Sequence, residues 1–265
     1  MASDPTITAI LDGTAVSRDK VQHWEARRAT AVLKKFRFRL GPLAISQIAP
    51  DLDLAAVLRA DVRTQRAALL DLKTGLGHAG VYAMLRRDIT MSERISRAAV
   101  AASRGRTTHS VIEVSAPGVD AKGFAVWFNN LTALNDEVAM IDAMPDHYLL
   151  RGLPDGRQEV VETTGGSPSA TRFLVDYTSA NRLEVQPDRG YPIQIAGHAV
   201  LDDGLVIGGV RHQLRDHDGT LEALLTVECP GLTPPPMVAA HRWHLAVEFS
   251  NWIEAFARTA HGPQS

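Results

Sequence analysis

The fold is decided by the stretch YPIQIAGHAVLDDGLVIGGVRHQLRDHDGTLEALLTVECPG, residues 191–231, and by MVAAHRWHLAVEFSNWIEAFARTA, residues 237–260. In the first stretch, DDG and DHDG are turn sequences between runs of strand-forming residues, which predicts three antiparallel strands joined by hairpins. The intervening TPPP, residues 233–236, ends the strand pattern. The second stretch places apolar residues at helical spacing and predicts one long amphipathic helix.

The segments upstream extend the same pattern. A strand is predicted near residues 109–118, one or two short helices over 120–144, and three more short strands between 146 and 179. A curved antiparallel sheet of about six meandering strands leaves an open face that a long amphipathic helix can cover. Residues 109–265 are therefore expected to form an α+β, helix-grip (START-like) domain with a cavity between sheet and helix.

Residues 1–108 are predicted to be mainly helical, with helices near 17–35, 51–73 and 91–104. Within this region LKKFRFRL, residues 33–40, alternates basic and apolar residues and predicts a half-exposed strand. GLGHAG, residues 75–80, fits a dinucleotide-binding motif, but a helical segment precedes it, so we expect a helix-ending loop. The region has two candidate roles, as a cover over the cavity or as the interface of a homodimer.

The bulk composition is that of an ordinary globular protein. The 265 residues are 45% hydrophobic and carry a formal net charge of −2, which gives no attraction to nucleic acid or to an anionic membrane surface. No apolar run approaches the roughly 20 residues of a membrane span. A lone cysteine, Cys229, and an N-terminus without signal-peptide features favour a reducing, cytoplasmic compartment.

Two histidines and one glutamate share a stripe of the last helix. At about 100° per residue, Glu248 lies roughly 20° from His241 and roughly 40° from His244 around the helix, so all three project from one stripe. Apolar neighbours turn this stripe partly inward, and burying such groups without partners is costly. A metal ion is one solution, because His and Glu are good zinc ligands. A solvated helix face with one His–Glu pair is the other.

One helix supplies at most two or three ligands, so the sheet would have to supply the rest. The candidates there are His147, Glu159, Glu162, His198 and His212. Positions 159 and 162 face opposite sides of a regular strand, so only one of the two glutamates is expected to face the cavity. The sequence leaves open which of the two does so.

Several of these segments together resemble the 2,4-diacetylphloroglucinol hydrolase family, which includes phloretin hydrolase. The resemblance covers about residues 111–256 and rests on the following stretches in order: GFAVWFNN, MPDHYLLRG, GRQEVVETTGG, IGGVRHQLRDHDGTLEALLTVECPG and HLAVEFSNWIEAF. It implies a helix-grip fold, a zinc ion, and hydrolysis of the C–C bond between an acyl group and a phenolic ring.

The resemblance implies that His147, Glu162, His244 and Glu248 are the zinc ligands. It also implies that His212 is the general acid, and His198 is a second catalytic candidate. Leu150 and Ala139 stand where the family has a substrate-binding Asn and a Tyr. The expected substrate is therefore an aromatic ketone or acylphenol that need not be the family's own.

Two other functions fit the same sequence. One is a non-enzymatic helix-grip protein that binds an apolar small molecule and whose histidines only line the cavity. The other is a metal-free cyclase or isomerase that uses His198 or His212 as acid or base. Tightly bound stoichiometric metal distinguishes the hydrolase from both.

Overall fold

The computed structural model describes residues 5–260, and its centre is one antiparallel sheet. Nine strands pair in the order β2-β1-β3-β9-β8-β7-β6-β5-β4. The strands are β1 (Thr8–Leu11), β2 (Thr14–Ser17), β3 (Thr107–Pro117), β4 (His147–Gly152), β5 (Gln158–Glu162), β6 (Thr171–Asp176), β7 (Ile193–Val200), β8 (Val206–His217) and β9 (Thr220–Pro230). The α-helices are α1 (Arg18–Ile48), α2 (Leu54–Val57), α3 (Val62–Ser103), α4 (Ala121–Ala133), α5 (Glu137–Asp142) and α6 (Pro235–Ala260).

The three-stranded hairpin unit predicted from the sequence is present. Strand β7 pairs with β8, and β8 pairs with β9, both antiparallel and in continuous ladders apart from one bulge at the β7 end. The β8–β9 turn places Asp218 and Gly219 at positive φ (51° and 72°), a conformation that Asp tolerates and Gly adopts freely. The long C-terminal helix follows directly, which confirms the α+β helix-grip architecture.

Helix α6 packs against the inner face of the sheet through its apolar face. Leu245, Phe249 and Ile253 are buried and belong to the same core as Ile112 and Leu225 on the inner face of the sheet. Burying each such side chain contributes about 1.5–3 kcal/mol. Because α6 is buried over several turns, its polar residues are also drawn into the interior.

The long N-terminal helices form a second core on the opposite face of the sheet. Phe36 of α1 and Leu72 of α3 pack with Tyr148, Leu149 and Val161 of strands β4 and β5. Along β5, Val161 faces these helices and its neighbours Val160 and Glu162 face α6, as strand alternation requires. Helices α1 and α3 therefore brace the strands that carry two of the candidate ligands.

The structure corrects two local expectations in the N-terminal region and agrees with a third. Residues 8–17 form the hairpin β1–β2, which pairs with β3 and so extends the sheet. The basic run at 33–40 is part of helix α1, not a strand, with Leu33 and Phe36 buried on one helical face. The glycine motif at 75–80 does interrupt the helix, as expected: Gly77 has a non-helical backbone, with φ 64° and ψ 173°, and a second helical segment of α3 follows it directly.

Candidate metal centre and cavity

The four expected ligands come from two adjacent strand ends and one helix. His147 opens β4 and lies directly opposite Glu162, the last residue of β5, in the strand register. A bulge after His147 shifts the register there, so the histidine sits at the irregular end of the ladder. His244 and Glu248 lie one turn apart on α6, which runs across the same end of the sheet.

The ligand atoms of these four residues face one another. The His147 and His244 Nε2 atoms are 3.2 Å apart. Glu162 Oε2 lies 3.5 Å from the first and 3.7 Å from the second. Glu248 Oε2 lies 3.3 Å from the first and 3.6 Å from the second. The trio His147, Glu162 and His244 has all its ligand atoms within 4.8 Å of one another.

The separations among His147, Glu162 and His244 match those of three ligands around one tetrahedral zinc ion. Two ligands that each lie about 2.0–2.1 Å from zinc are about 3.3 Å apart at the tetrahedral angle. The five separations given above range from 3.2 to 3.7 Å. Glu248 is equally close to both histidines but lies outside the trio whose ligand atoms are all within 4.8 Å of one another. Two imidazoles with two carboxylates are also a donor set that suits zinc.

The orientation of His147 also fits a metal. Its Nδ1 lies 3.2 Å from the carbonyl oxygen of Met140, which can only accept a hydrogen bond, so Nδ1 carries the proton. The lone pair of Nε2 then points into the cluster, and such fixing of the outer nitrogen is usual for metal-binding histidines. The outer nitrogen of His244, Nδ1, has no hydrogen-bond partner among the described residues.

The two buried carboxylates of the cluster favour a positive charge between them. Burial opposes charging of His244, but Glu162 and Glu248 outweigh it and raise its pKa to about 9. Burial also disfavours the charged form of Glu248, yet the two imidazoles that flank it, those of His147 and His244, hold the pKa of that carboxyl well below its usual range. Without a metal, a proton on His244 fills this role.

A cavity of about 590 Å³ between the sheet and α6 contains the cluster. Most of its wall is apolar: Phe128, Leu150, Val160, Phe173, Val175, Val210, Val227, Leu245 and Trp252. The polar groups on the wall besides the four ligands include Gln158, Thr164, Tyr177, His212 and His241. Apolar walls with a few convergent polar groups are typical of small-molecule sites.

The cavity extends to both sides of the cluster. One end is bordered by Ile95, Ala99 and Ala102 in the last turns of α3, where Ile95 is 58% exposed, so this end is the mouth. The other end lies near Gln158, four residues before Glu162 on β5, or roughly 13 Å at about 3.3 Å per residue.

The expected acid, His212, faces the cavity as predicted. It lies on the inner face of β8 with its ring edge-on to Phe249 at 4.8 Å between centroids. Its Nδ1 is enclosed and has no hydrogen-bond partner among residues 5–260, so Nε2 is the nitrogen left to meet a ligand. Burial lowers the pKa of His212 to about 4, and Glu248 only partly offsets this. The imidazole is neutral at neutral pH.

The strand register settles the choice between the two glutamates of β5. Glu162 faces the cluster, and Glu159 faces the opposite side of the sheet. There Glu159 is bound by Arg151 and Arg172, whose Nε atoms lie 2.7 and 2.6 Å from its oxygens. Glu159 is thus a buried partner of two arginines and belongs to the outer face.

The candidate His198 does not reach the cavity, which corrects the expectation that it is catalytic. Ile195 pairs with His212 across β7 and β8 and faces the core, so His198, three residues further along β7, faces the other way. Its Nδ1 lies 3.0 Å from the hydroxyl oxygen of Ser179, in a segment that covers the outer face. It borders a smaller pocket of about 280 Å³ that adjoins the main cavity and shares Gly208 and Cys229 with it.

Three further residues lie in the cavity wall: His241, which shares the stripe of α6 with His244 and Glu248 but is not among the clustered ligands, and Tyr177 and Gln158. His241 is buried with its Nδ1 3.2 Å from the Ser110 hydroxyl, and burial followed by His244 lowers its pKa to about 3. Tyr177 donates a hydrogen bond to Gln158 Oε1 at 3.0 Å. Neither Tyr177 nor Gln158 belongs to a motif. The alternation of β5 would have placed Gln158 on the inner face, and Tyr177 directly follows β6.

Comparisons with known proteins add little to this geometry. No protein-family model and no curated protein matches the chain. The crystal structure of Ara h 8.0201 matches with 11% identity over 58% of this chain and 99% of that chain, at a TM-score of 0.37. Protein Ms6760 from Mycobacterium smegmatis matches with 12% identity over 59% and 97%, at a TM-score of 0.32. At such low identity and TM-score, these similarities say nothing about what the chain binds or catalyses.

Among the described residues, none of the helices is both long enough and apolar enough to cross a bilayer.

Proposed function

We propose that the protein is a zinc-dependent hydrolase. Its substrate is an acylphenol or a related aromatic ketone, and the bond cleaved is the C–C bond between the acyl group and the ring. The observation that carries the proposal is the cluster of His147, Glu162, His244 and Glu248 in the wall of an apolar cavity. Buried charged groups of this kind are rarely retained without a partner or a task.

The four residues would hold zinc through His147 Nε2, His244 Nε2 and one oxygen each of Glu162 and Glu248. A zinc ion there would act as a Lewis acid, and it would lower the pKa of a bound water to about 7 only if one carboxylate left the ion or the ion accepted a fifth ligand. The two carboxylates balance the charge of the ion. Because Glu248 is flanked by both imidazoles at 3.3 and 3.6 Å, its carboxylate is held in one orientation even before a metal binds.

The cavity supports an aromatic ligand. Phe128 and Trp252 stand edge to face at 4.9 Å between centroids beside the cluster, and Tyr177 closes the same end. Such walls favour a flat apolar ring. Gln158 and the Tyr177 hydroxyl give this end hydrogen-bonding atoms that suit a ring hydroxyl, whereas the mouth is lined by the small residues Ala99 and Ala102.

His212 is the residue placed to move a proton. Being neutral at neutral pH, it can accept a proton at Nε2 when water adds to the acyl carbon. It can then return that proton to the ring carbon as the C–C bond breaks. The overall change is that of the acylarene plus water giving a carboxylic acid plus the free arene, with no oxidant or reductant required.

A binding protein without catalysis is the second candidate, and the predominantly apolar wall of the cavity favours it. A metal-free cyclase or isomerase keeps only His212 of its two candidate histidines, because His198 lies outside the cavity.

The test is to incubate zinc-loaded protein with a panel of acylphenols and to follow the free phenol and the carboxylic acid by mass spectrometry. We expect both products in equal amounts, and neither product with the His244→Ala, Glu248→Ala double variant. Stoichiometric zinc without cleavage of any acylphenol or aromatic ketone would overturn the hydrolase and leave a metal-containing binding protein.

A further inference from the structure

Two residues beside the candidate ligands are joined to each other outside the cavity. Asp146 directly precedes His147, and Thr163 directly follows Glu162. The Thr163 hydroxyl donates a hydrogen bond to Asp146 Oδ1, and the Thr163 backbone N–H donates to the Asp146 carbonyl at 3.2 Å. The ends of β4 and β5 are therefore tied by a side chain as well as by the ladder, at the point where the bulge weakens the ladder.

The charge of Asp146 is balanced from helix α1. Asp146 is fully buried, and Arg28 binds its carboxylate with two hydrogen bonds of 2.8 Å, one from Nε and one from Nη2. This paired geometry fixes the direction of the carboxylate as well as neutralising it. A residue 118 positions earlier in the chain thus holds the backbone beside His147.

Arg28 also packs against the turn that follows Glu162 and leads from β5 to β6. A Cβ at Gly166 would lie 2.9 Å from the guanidinium carbon, and a Cβ at Gly165 would lie 2.5 Å from the carbonyl oxygen of Met237 in α6. The turn at residues 164–166 therefore lies between the Arg28 side chain and the first turns of α6. Arg28 is thus linked to β4 through Asp146, to the turn after β5 at Gly166, and through that turn to α6.

From these contacts we infer that Arg28, Asp146 and Thr163 form a positioning bridge that sets the spacing of the metal ligands. The inference rests on the proposed zinc centre. The N-terminal helix α1 is then part of the metal site, because it fixes His147 and Glu162 from behind without touching the ion. A purely structural ion pair would stabilise the fold equally with and without metal, and this difference separates the two readings.

The test compares zinc affinity across four single variants, measured by competition with a chromophoric chelator. Arg28→Met removes the paired hydrogen bonds, Thr163→Val removes the hydroxyl at nearly constant volume, and Thr163→Ser restores it. Arg39→Met is the matched control, because Arg39 lies on the same helix and pairs with Asp88 at 2.6 Å, away from the cluster. The midpoint of thermal unfolding of each chelated variant is recorded in parallel.

We expect Arg28→Met and Thr163→Val to bind zinc about 10–100-fold more weakly, as is common when outer partners of metal ligands are lost. Thr163→Ser and Arg39→Met are expected to match the wild type. Wild-type affinity in a folded Arg28→Met variant, or an equal loss in Arg39→Met, would overturn the bridge. If Arg28→Met does not fold, Thr163→Val decides. Failure of the wild type itself to bind zinc would instead overturn the proposed metal centre.

Discussion

The two glutamates of β5 offer a paired test of the site, because they lie three residues apart on opposite faces of one strand. We consider Glu162→Gln and Glu159→Gln, each of which removes one negative charge at nearly constant volume. Zinc affinities of buried four-ligand sites correspond to about 10–16 kcal/mol, or about 3 kcal/mol per ligand if shared equally. Glu162→Gln should therefore weaken zinc binding by a hundredfold or more, at about 1.4 kcal/mol per factor of ten.

Glu159→Gln should have the opposite profile. Glu159 is 1% exposed and bound by Arg151 and Arg172, and breaking a buried ion pair costs about 3 kcal/mol or more. For a chain of this size the loss corresponds to a fall in the unfolding midpoint of about 6–12 °C. Zinc affinity, measured by chelator competition, should be unchanged. If Glu159→Gln loses zinc while Glu162→Gln keeps it, the assignment of strand faces is wrong.

Three further predictions concern the packing and titration of the site. Gly165→Ala should destabilise the chain by about 1–3 kcal/mol more in denaturant unfolding than Gly156→Ala, because both have positive φ but only Gly165 abuts a backbone oxygen; equal losses would refute the close contact. Because burial lowers the pKa of His212 to about 4, the unfolded chain takes up a proton below about pH 6.5 that the folded chain refuses, so stability falls as pH falls towards 4. In chelator, His212→Phe should remove about 2 kcal/mol of the loss between pH 8 and pH 5, and an unchanged pH profile would contradict this. Removing zinc held at about 100 times its Kd should lower the wild-type unfolding midpoint by about 5–11 °C but leave His147→Ala unaffected, and an equal shift in both would point to zinc bound elsewhere.

The sequence was most informative where turn chemistry and periodicity agreed. Two Asp/Gly-rich turns between alternating strands predicted the β7–β8–β9 unit, and helical spacing placed His244 and Glu248 on one inward stripe. A turn sequence of the same kind is present near the N-terminus, where the prediction was of helix. An Asp-Gly pair, Asp12–Gly13, stands between alternating residues and is the turn of the β1–β2 hairpin.

The errors arose where short patterns were ambiguous or needed register. The run at 33–40 alternates over only a few residues, and this short pattern suggested a strand. Leu33 and Phe36 are three residues apart, which suits one face of a helix, and the longer flanking segments are helical. The faces of His198 and Glu159 depended on strand pairing, which no local pattern supplies. The contact between Arg28 and Asp146 joins residues far apart in the chain, so only the folded arrangement could reveal it.

Elemental analysis of the purified protein shows whether the cluster of His147, Glu162, His244 and Glu248 is a zinc centre. The protein would be purified without a histidine tag or added metal, beside the His244→Ala, Glu248→Ala double variant. We predict about one zinc per chain in the wild type and none in the folded variant. A well-folded wild type without metal, or a variant that keeps its zinc, would contradict the account.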